Sequence, residues 1–208
     1  MAEKLIIFSR FPEAGTTKTR LIPALGAAAA ARLQSTLTER TVSRARLLAA
    51  SRPLALQLSY SGGTSSAWRE WLGADLPCQA QGPGSLGEKM ARAHRRALDE
   101  GFRRIVLIGA DCPSLSEAIL AAAFNALADH DLVLGPALDG GYYLLGLSRP
   151  APELFRNQPW GRPELLRRTL ATADRLGLSY HLLQELADVD RTTEDLHHLG
   201  DYSDPERG

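Results

Sequence analysis

The chemistry-bearing residues of this chain are charged side chains set just beyond short apolar runs. Lys18-Thr19-Arg20 closes a loop that starts near Pro12 and contains Gly15. Glycine lets backbone N–H groups approach a phosphate, and lysine and arginine neutralise its charge, so the loop reads as an anion site. It matches neither G-x-x-x-x-G-K-[ST] nor G-x-G-x-x-G, and a solvated basic loop is the competing reading. Asp111, in Ala110-Asp111-Cys112-Pro113, is a carboxylate suited to a hard divalent cation that bridges phosphates. A turn or a helix cap would use the same residue. Asp139, in Asp139-Gly140-Gly141, has the chemistry to bind a sugar hydroxyl, hold a metal or take an acceptor's proton. The same residues also make a plain Asp-Gly turn between two strands. Asp188 and Asp190 would face the same way in an extended segment. Such a pair repels unless a cation lies between its members, although a helix N-terminus ahead of Thr192 accounts for it as well. Cys112 has no histidine partner in view and reads as structural. His197 and His198 are adjacent, point apart on a helix and read as surface residues.

Elements that would position these groups are visible in the hydrophobic pattern. Leu5 to Phe8 is an apolar run too short for a helix and reads as a buried strand of a parallel sheet. Ala27 to Ala50 reads as a long helix, with Arg32, Glu39, Arg40 and Arg44 on polar positions. Leu54 to Tyr60 alternates as a strand does. Trp68 and Trp71 fall at i, i+3 on a short helix, a spacing that marks packing rather than a base-stacking platform. Pro77 to Gln81 reads as a short strand, followed by Gly82-Pro83-Gly84-Ser85 and a helix from Leu86 to Glu100 with the face Leu86, Met90, Ala93, Ala97. Arg104 to Gly109 is a second strong strand, and Ser116 caps a helix to about Ala128. Asp131 to Gly135 and Gly141 to Leu147 read as strands, Arg162 to Leu176 as a helix and Leu178 to Leu183 as a last strand. Thr192 with Asp195 resembles a capping box, and residues 201–208 read as a loose tail.

Strands that alternate with helices predict an α/β fold, a mostly parallel sheet with helices on both faces. No repeat or long linker divides the chain, so one domain spanning 1–208 is expected. Ligands of such sheets sit beyond the carboxyl ends of the strands, so the charged residues just after each strand are expected on one rim.

Composition narrows the partners. Lys+Arg equals Asp+Glu at 24 each, which leaves no field to recruit nucleic acid or an anionic membrane. Any phosphate affinity is therefore local. Two cysteines make neither a disulfide framework nor a metal cluster, as expected of a reduced cytoplasmic protein. The apolar run near the N-terminus is too short for a signal peptide, and no run approaches the roughly 20 residues of a membrane span.

The cationic loop, Gln81 in its Gly-Pro loop, Asp111, Asp139-Gly140-Gly141 and Asp190 all fall at strand ends, a set suited to a nucleotide diphosphate and one Mg²⁺ or Mn²⁺. The segments FSRFPEAGTTKTRL, QGPGSLGEKM, GADCPSL, DGGYYLLGL and DVDRTTEDL, in this order, resemble a bacterial family of small nucleotide-diphospho-sugar transferase-like proteins. That family includes glycosyltransferases of the arsenosugar-biosynthesis type. The resemblance runs from about Lys4 to Leu196. It implies the GT-A fold, a three-layer α/β/α sandwich shared with nucleotidyltransferases that build molybdopterin and deazaflavin cofactors. It implies that Lys18 and Arg20 hold the phosphates, and that the loop from Ser9 through Arg10 to Gly15 closes over the nucleotide. By the same resemblance Gln81 and Gly82 lie near the base and Asp111 and Asp190 ligate the metal. Asp139, Gly140 and Gly141 would face the donor sugar or the acceptor. Three functions follow. One is a glycosyltransferase that moves a sugar from a nucleotide-diphosphate donor to a small-molecule acceptor, with Asp139 as general base and Lys18 and Arg20 on the leaving diphosphate. Another is a nucleotidyltransferase that joins an NTP to a phosphorylated small molecule and releases pyrophosphate. The third is a nucleotide-binding protein without catalysis.

Overall fold

The structure is a computed structural model and describes residues 2–187. Strand β1 (Glu3–Arg10) lies at its centre. Leu5, Ile6 and Ile7 are fully buried, so both faces of the strand are covered, as its continuous apolar run requires. On one side β1 pairs in parallel with β2 (Leu54–Ser61), and on the other with β4 (Arg104–Gly109). The seven strands run β3-β2-β1-β4-β6-β5-β7, with β3 at Cys78–Ala80, β5 at Leu132–Pro136, β6 at Tyr142–Leu147 and β7 at Tyr180–Leu182. All neighbours are parallel except β6, which runs against both β4 and β5. The short turn between β5 and β6 leaves no room for a crossover, and only an antiparallel return is geometrically open.

The helices are α1 (Ile22–Leu25), α2 (Ala27–Ser51), α3 (Ser65–Leu72), α4 (Leu86–Asp99), α5 (Glu117–Ala126) and α6 (Leu165–Arg175), with a 3₁₀ turn at Pro152–Phe155. Alternation along β1 sends Leu5 and Ile7 into one core with Val42 of α2, Trp68 of α3 and Leu120 of α5. Ile6 enters a second core with Met90 of α4, Phe155 and Ala173 of α6. The fold is thus the expected three-layer sandwich. Trp68 is fully buried and packs edge-on against Phe11, which confirms the packing reading of the Trp68 and Trp71 pair. Ser116 caps α5 through its hydroxyl, 3.3 Å from Ile119 N.

Some expectations change. Leu86 was expected on the core face of α4 but is 45% exposed at the helix start. The last helix begins at Leu165, three residues after the expected Arg162, because Pro163 and its neighbours pack as a turn against Gly140. Arg44 was expected on a solvated face but reaches across to the main chain after β4. The expectations for Asp188, Asp190, Thr192, Asp195, His197, His198 and the tail 201–208 lie outside the described residues. Among the described residues, no helix is long and apolar enough to cross a membrane.

His94 is a second departure from a simple core. It lies on the inner face of α4, 3% exposed, with its ring 5.9 Å from Phe155, and its Nε2 finds no hydrogen-bond partner among the described residues. Burial disfavours the imidazolium and pushes the pKa down from 6.5 to about 4. Between those values the unfolded chain holds a proton that the folded chain does not, so stability is lost as pH falls from 6.5 towards 4. The full loss is about 3 kcal/mol. We expect urea unfolding at about pH 4.5 and about pH 7 to show this loss, and His94→Leu to flatten it. An unchanged acid limb in His94→Leu would place the titrating group elsewhere.

Candidate functional site

Because β1 and β4 are adjacent and parallel, with Phe8 opposite Gly109, the loops that follow them leave the sheet side by side. The loop after β1 folds back on itself. Glu13 O accepts from the N–H groups of Thr16 and Thr17, each at 3.2 Å, and Thr17 Oγ1 donates to Phe11 O at 2.8 Å. Arg10 Nη1 donates to Thr16 O at 2.8 Å. Phe11 is wedged edge-on against Trp68 and Trp71, with ring centroids at 5.3 and 6.0 Å. The loop thereby carries Lys18, at φ 46°, across to the next loop. Lys18 Nζ lies 2.8 Å from Asp111 Oδ1, with the Lys18 side chain 3% exposed and that of Asp111 46% exposed. One oxygen of Asp111 is buried against the ammonium while the carboxylate as a whole stays open to the cleft.

Two more arginines hold the neighbouring loops by the same device. Arg44 Nη1 donates to Pro113 O at 2.6 Å and to Leu115 O at 2.9 Å, which fixes the segment after Asp111. Arg92 donates to Gln81 O and, at 2.9 Å, to Pro83 O.

The far side of the rim comes from the reversed strand. Since β6 runs antiparallel, its start rather than its end lies beside the end of β4. Asp139 Oδ1 accepts from Gly141 N at 2.9 Å, so the Asp-Gly-Gly segment is a side-chain-capped turn. Asp139 still lines the same cleft as Asp111. The cleft encloses about 250 Å³ and runs inward past Phe8, Leu86, Met90, Tyr142 and Trp160. Tyr142 and Trp160 meet edge to face at 6.2 Å. The Tyr142 hydroxyl is buried, which pushes its pKa up.

Lys18, Asp111, Asp139 and Gly141 therefore converge on one rim, as their positions after strands suggested. Several other sequence candidates are engaged by the chain itself. Ser9 is buried, its hydroxyl 2.9 Å from Thr38 Oγ1 and 3.2 Å from Gln34 Nε2, so the chain itself occupies it. Gln81 ties strands together through Nε2 to Ser59 O at 3.0 Å. The space beside Gly82 is filled by Arg92, whose Nη1 would lie 3.0 Å from an added Cβ. Arg10 braces the loop through Thr16 O, and Arg20 lies exposed on it. Gly140 was assigned to a sugar or acceptor, yet a Cβ there would meet Pro163 O at 2.2 Å, so its lack of a side chain serves internal packing. Gly15, at φ 86°, has open space beside it, as a ligand-approach glycine should. Asp190 lies outside the described residues. Cys112 is buried with Sγ 3.7 Å from Ala187 O, a structural role. Among the described residues no three His, Cys, Asp or Glu side chains gather to hold a metal. Arg44, Arg92, Leu86, Met90, Tyr142 and Trp160 were missed. Their only sequence signals were helical period and aromatic type, which do not say what a side chain faces.

The fold is that of nucleotide-sugar transferases and nucleotidyltransferases. The family described as "Uncharacterized protein conserved in bacteria (DUF2064)" matches residues 44–162, and the chain belongs to it. A protein from Desulfovibrio desulfuricans G20, provisionally named a nucleotide-diphospho-sugar transferase, superposes with a TM-score of 0.84 at 31% identity, covering 100% of this chain and 90% of its own. Two more distant structures share the fold. Rv0371c from Mycobacterium tuberculosis H37Rv superposes at TM-score 0.56 and 20% identity over 97% of this chain and 99% of its own. The 4-diphosphocytidyl-2C-methyl-D-erythritol synthase of Anaerococcus prevotii DSM 20548 superposes at 0.63 and 9% over 96% and 95%. No curated protein matches the chain.

Gly140 and Gly15 predict costs of different size. Gly140→Ala combines φ 85° with a clash against backbone, and we expect a cost of about 3 kcal/mol. Gly15→Ala has the same sign of φ but open space, and we expect about 1 kcal/mol. Chemical denaturation measures both, and equal costs would remove the packing role assigned to Gly140.

Proposed function

We propose that this protein is a metal-assisted glycosyltransferase that moves a sugar from a nucleotide-diphosphate donor to a small-molecule acceptor. The observation that carries the reading is the Lys18–Asp111 pair at the common rim of β1 and β4. A lysine ammonium shielded from solvent beside an open carboxylate is a two-part site, one part for phosphate oxygens and one for a cation. The 31%-identical D. desulfuricans protein, by its provisional name, supports the same reaction class.

The residues divide the work as follows. Lys18 is already ordered by Asp111, so little side-chain freedom is lost when a diphosphate arrives. Lys18 and Arg20 neutralise the leaving diphosphate, and Gly15 lets its backbone approach it. Asp111, with Asp190 as a second candidate, would hold a Mg²⁺ or Mn²⁺, each contributing the hard carboxylate oxygen such an ion prefers. The cation would spread the negative charge that develops on the leaving group. Asp139, held in orientation by Gly141 N, takes the proton of the acceptor hydroxyl. In the alternative, nucleotidyl transfer from an NTP, the same groups would neutralise a triphosphate and pyrophosphate would leave.

A panel of UDP- and GDP-sugars and NTPs, with and without Mn²⁺, tests this by thermal shift. A bound donor should raise Tm by mass action. Lys18→Ala and Asp111→Ala should each weaken its affinity about tenfold or more. A ligand that stabilises wild type and both variants equally would overturn the site. Release of pyrophosphate from an NTP and a sugar phosphate, with no turnover of nucleotide sugars, would assign nucleotidyl transfer instead.

A further inference from the structure

The cleft that opens at Asp111 and Asp139 changes character with depth. Its charged groups stand at the mouth, whereas Phe8, Met90, Leu107, Leu145, Leu165 and the Trp160 ring make its walls. Those walls are mostly apolar, and the hydroxyl of Tyr142, which also lines them, is itself buried. The nearby Tyr143 hydroxyl is turned away and donates to Gln184 O at 3.0 Å. A hydroxyl buried without a partner is destabilising, so a sugar ring sunk here would carry that penalty several times over. At about 250 Å³ the space lies below the roughly 300–1,000 Å³ of sites that enclose a drug-sized ligand, and suits one ring or short chain.

A second observation points the same way. Leu86, the first residue of α4, lines the cleft and is 45% exposed, which puts an apolar side chain at its opening. Such a group is covered when an apolar ligand enters.

We infer that the cleft takes a small acceptor with an aromatic or apolar body and a single hydroxyl, the body against Trp160 and Leu86 and the hydroxyl towards Asp111 and Asp139. The word acceptor rests on the transferase reading, whereas the apolar preference rests on the walls alone. The carboxylates accept the hydroxyl's hydrogen bond at the mouth, and Trp160 and Leu86 select the body.

The probes are 2-phenylethanol, methyl α-D-glucopyranoside and uridine, titrated without nucleotide into the full chain. The readout is the indole N–H resonances of Trp68, Trp71 and Trp160, with that of Trp160 identified by its loss in Trp160→Phe. We expect 2-phenylethanol to move the Trp160 signal selectively and the glucoside to leave it in place. Leu86→Ser, at a position already half in water, should weaken the 2-phenylethanol midpoint about fivefold. The inference is overturned if 2-phenylethanol leaves Trp160 unmoved, if Leu86→Ser leaves the midpoint unchanged, or if the glucoside or uridine moves Trp160 at equal or lower concentration. Since nucleotide is absent, this failure is separate from that of the transferase reading, which the thermal shift decides alone.

Discussion

The Lys18–Asp111 ion pair joins the loops that leave the two central strands. An ammonium with only 3% of its side chain exposed has lost most of its hydration, and the carboxylate 2.8 Å away offsets that loss. The pair is asymmetric, because Asp111 remains 46% exposed. It fixes the cation firmly and leaves the anion available to a ligand. The arginines extend this logic. Arg10, Arg44 and Arg92 donate to main-chain carbonyls, which carry no net charge, so those guanidinium charges persist near the rim. A chain with 24 basic and 24 acidic residues can in this way be locally cationic where it needs an anion.

The reversal of β6 supplies the other half of the site. Had β6 run parallel, its first residues would sit at the opposite end of the sheet, with Gly141 and Tyr142 far from Asp111. The tight turn after β5 forces the reversal and brings Asp139, Gly141 and Tyr142 to the same rim as Lys18. The rim therefore has a cationic side built by loops after parallel strands and an apolar side built by the start of an antiparallel one. Charged and apolar surface are thereby separated along the sheet rather than superimposed.

Much of this was legible in the sequence. Leu5 to Phe8 and Arg104 to Gly109 declare buried strands by composition, and residues just beyond parallel strands share a rim by geometry, which is how Lys18, Asp111 and Asp139 were found. What sequence could not tell is where a polar side chain finds its partner. Ser9 and Gln81 sit at strand ends as a ligand-binding residue would, but Thr38, Gln34 and the Ser59 carbonyl were closer. Gly15 and Gly140 both adopt positive φ, yet one faces open space and the other a neighbouring carbonyl, a difference set by packing more than twenty residues away in the chain. Arg44 and Trp160 reach their contacts across the fold, and no local pattern encodes that.

The two faces of the sheet are not equally well satisfied. The face covered by α2, α3 and α5 buries a dense apolar core, and its polar members are paired, as Ser9, Gln34 and Thr38 show. On the face covered by α4 and α6, His94 Nε2 and Gln158 Oε1 are buried without a hydrogen-bond partner among the described residues, and the Tyr142 hydroxyl and Thr169 Oγ1 are buried with only each other in reach. Each such group costs about 1–3 kcal/mol relative to a paired one. Packing alone would favour apolar residues at these positions, since replacing a poorly paired buried polar group by a well-packed apolar one is neutral or stabilising. Tyr142 lines the cleft and His94 and Thr169 stand on the two helices that cover this face, α4 and α6, which also supply Leu86, Met90 and Leu165 to its walls. Local rules are broken where function is built. One face carries the densely paired core, and the other, with fewer of its polar groups satisfied, borders the cleft.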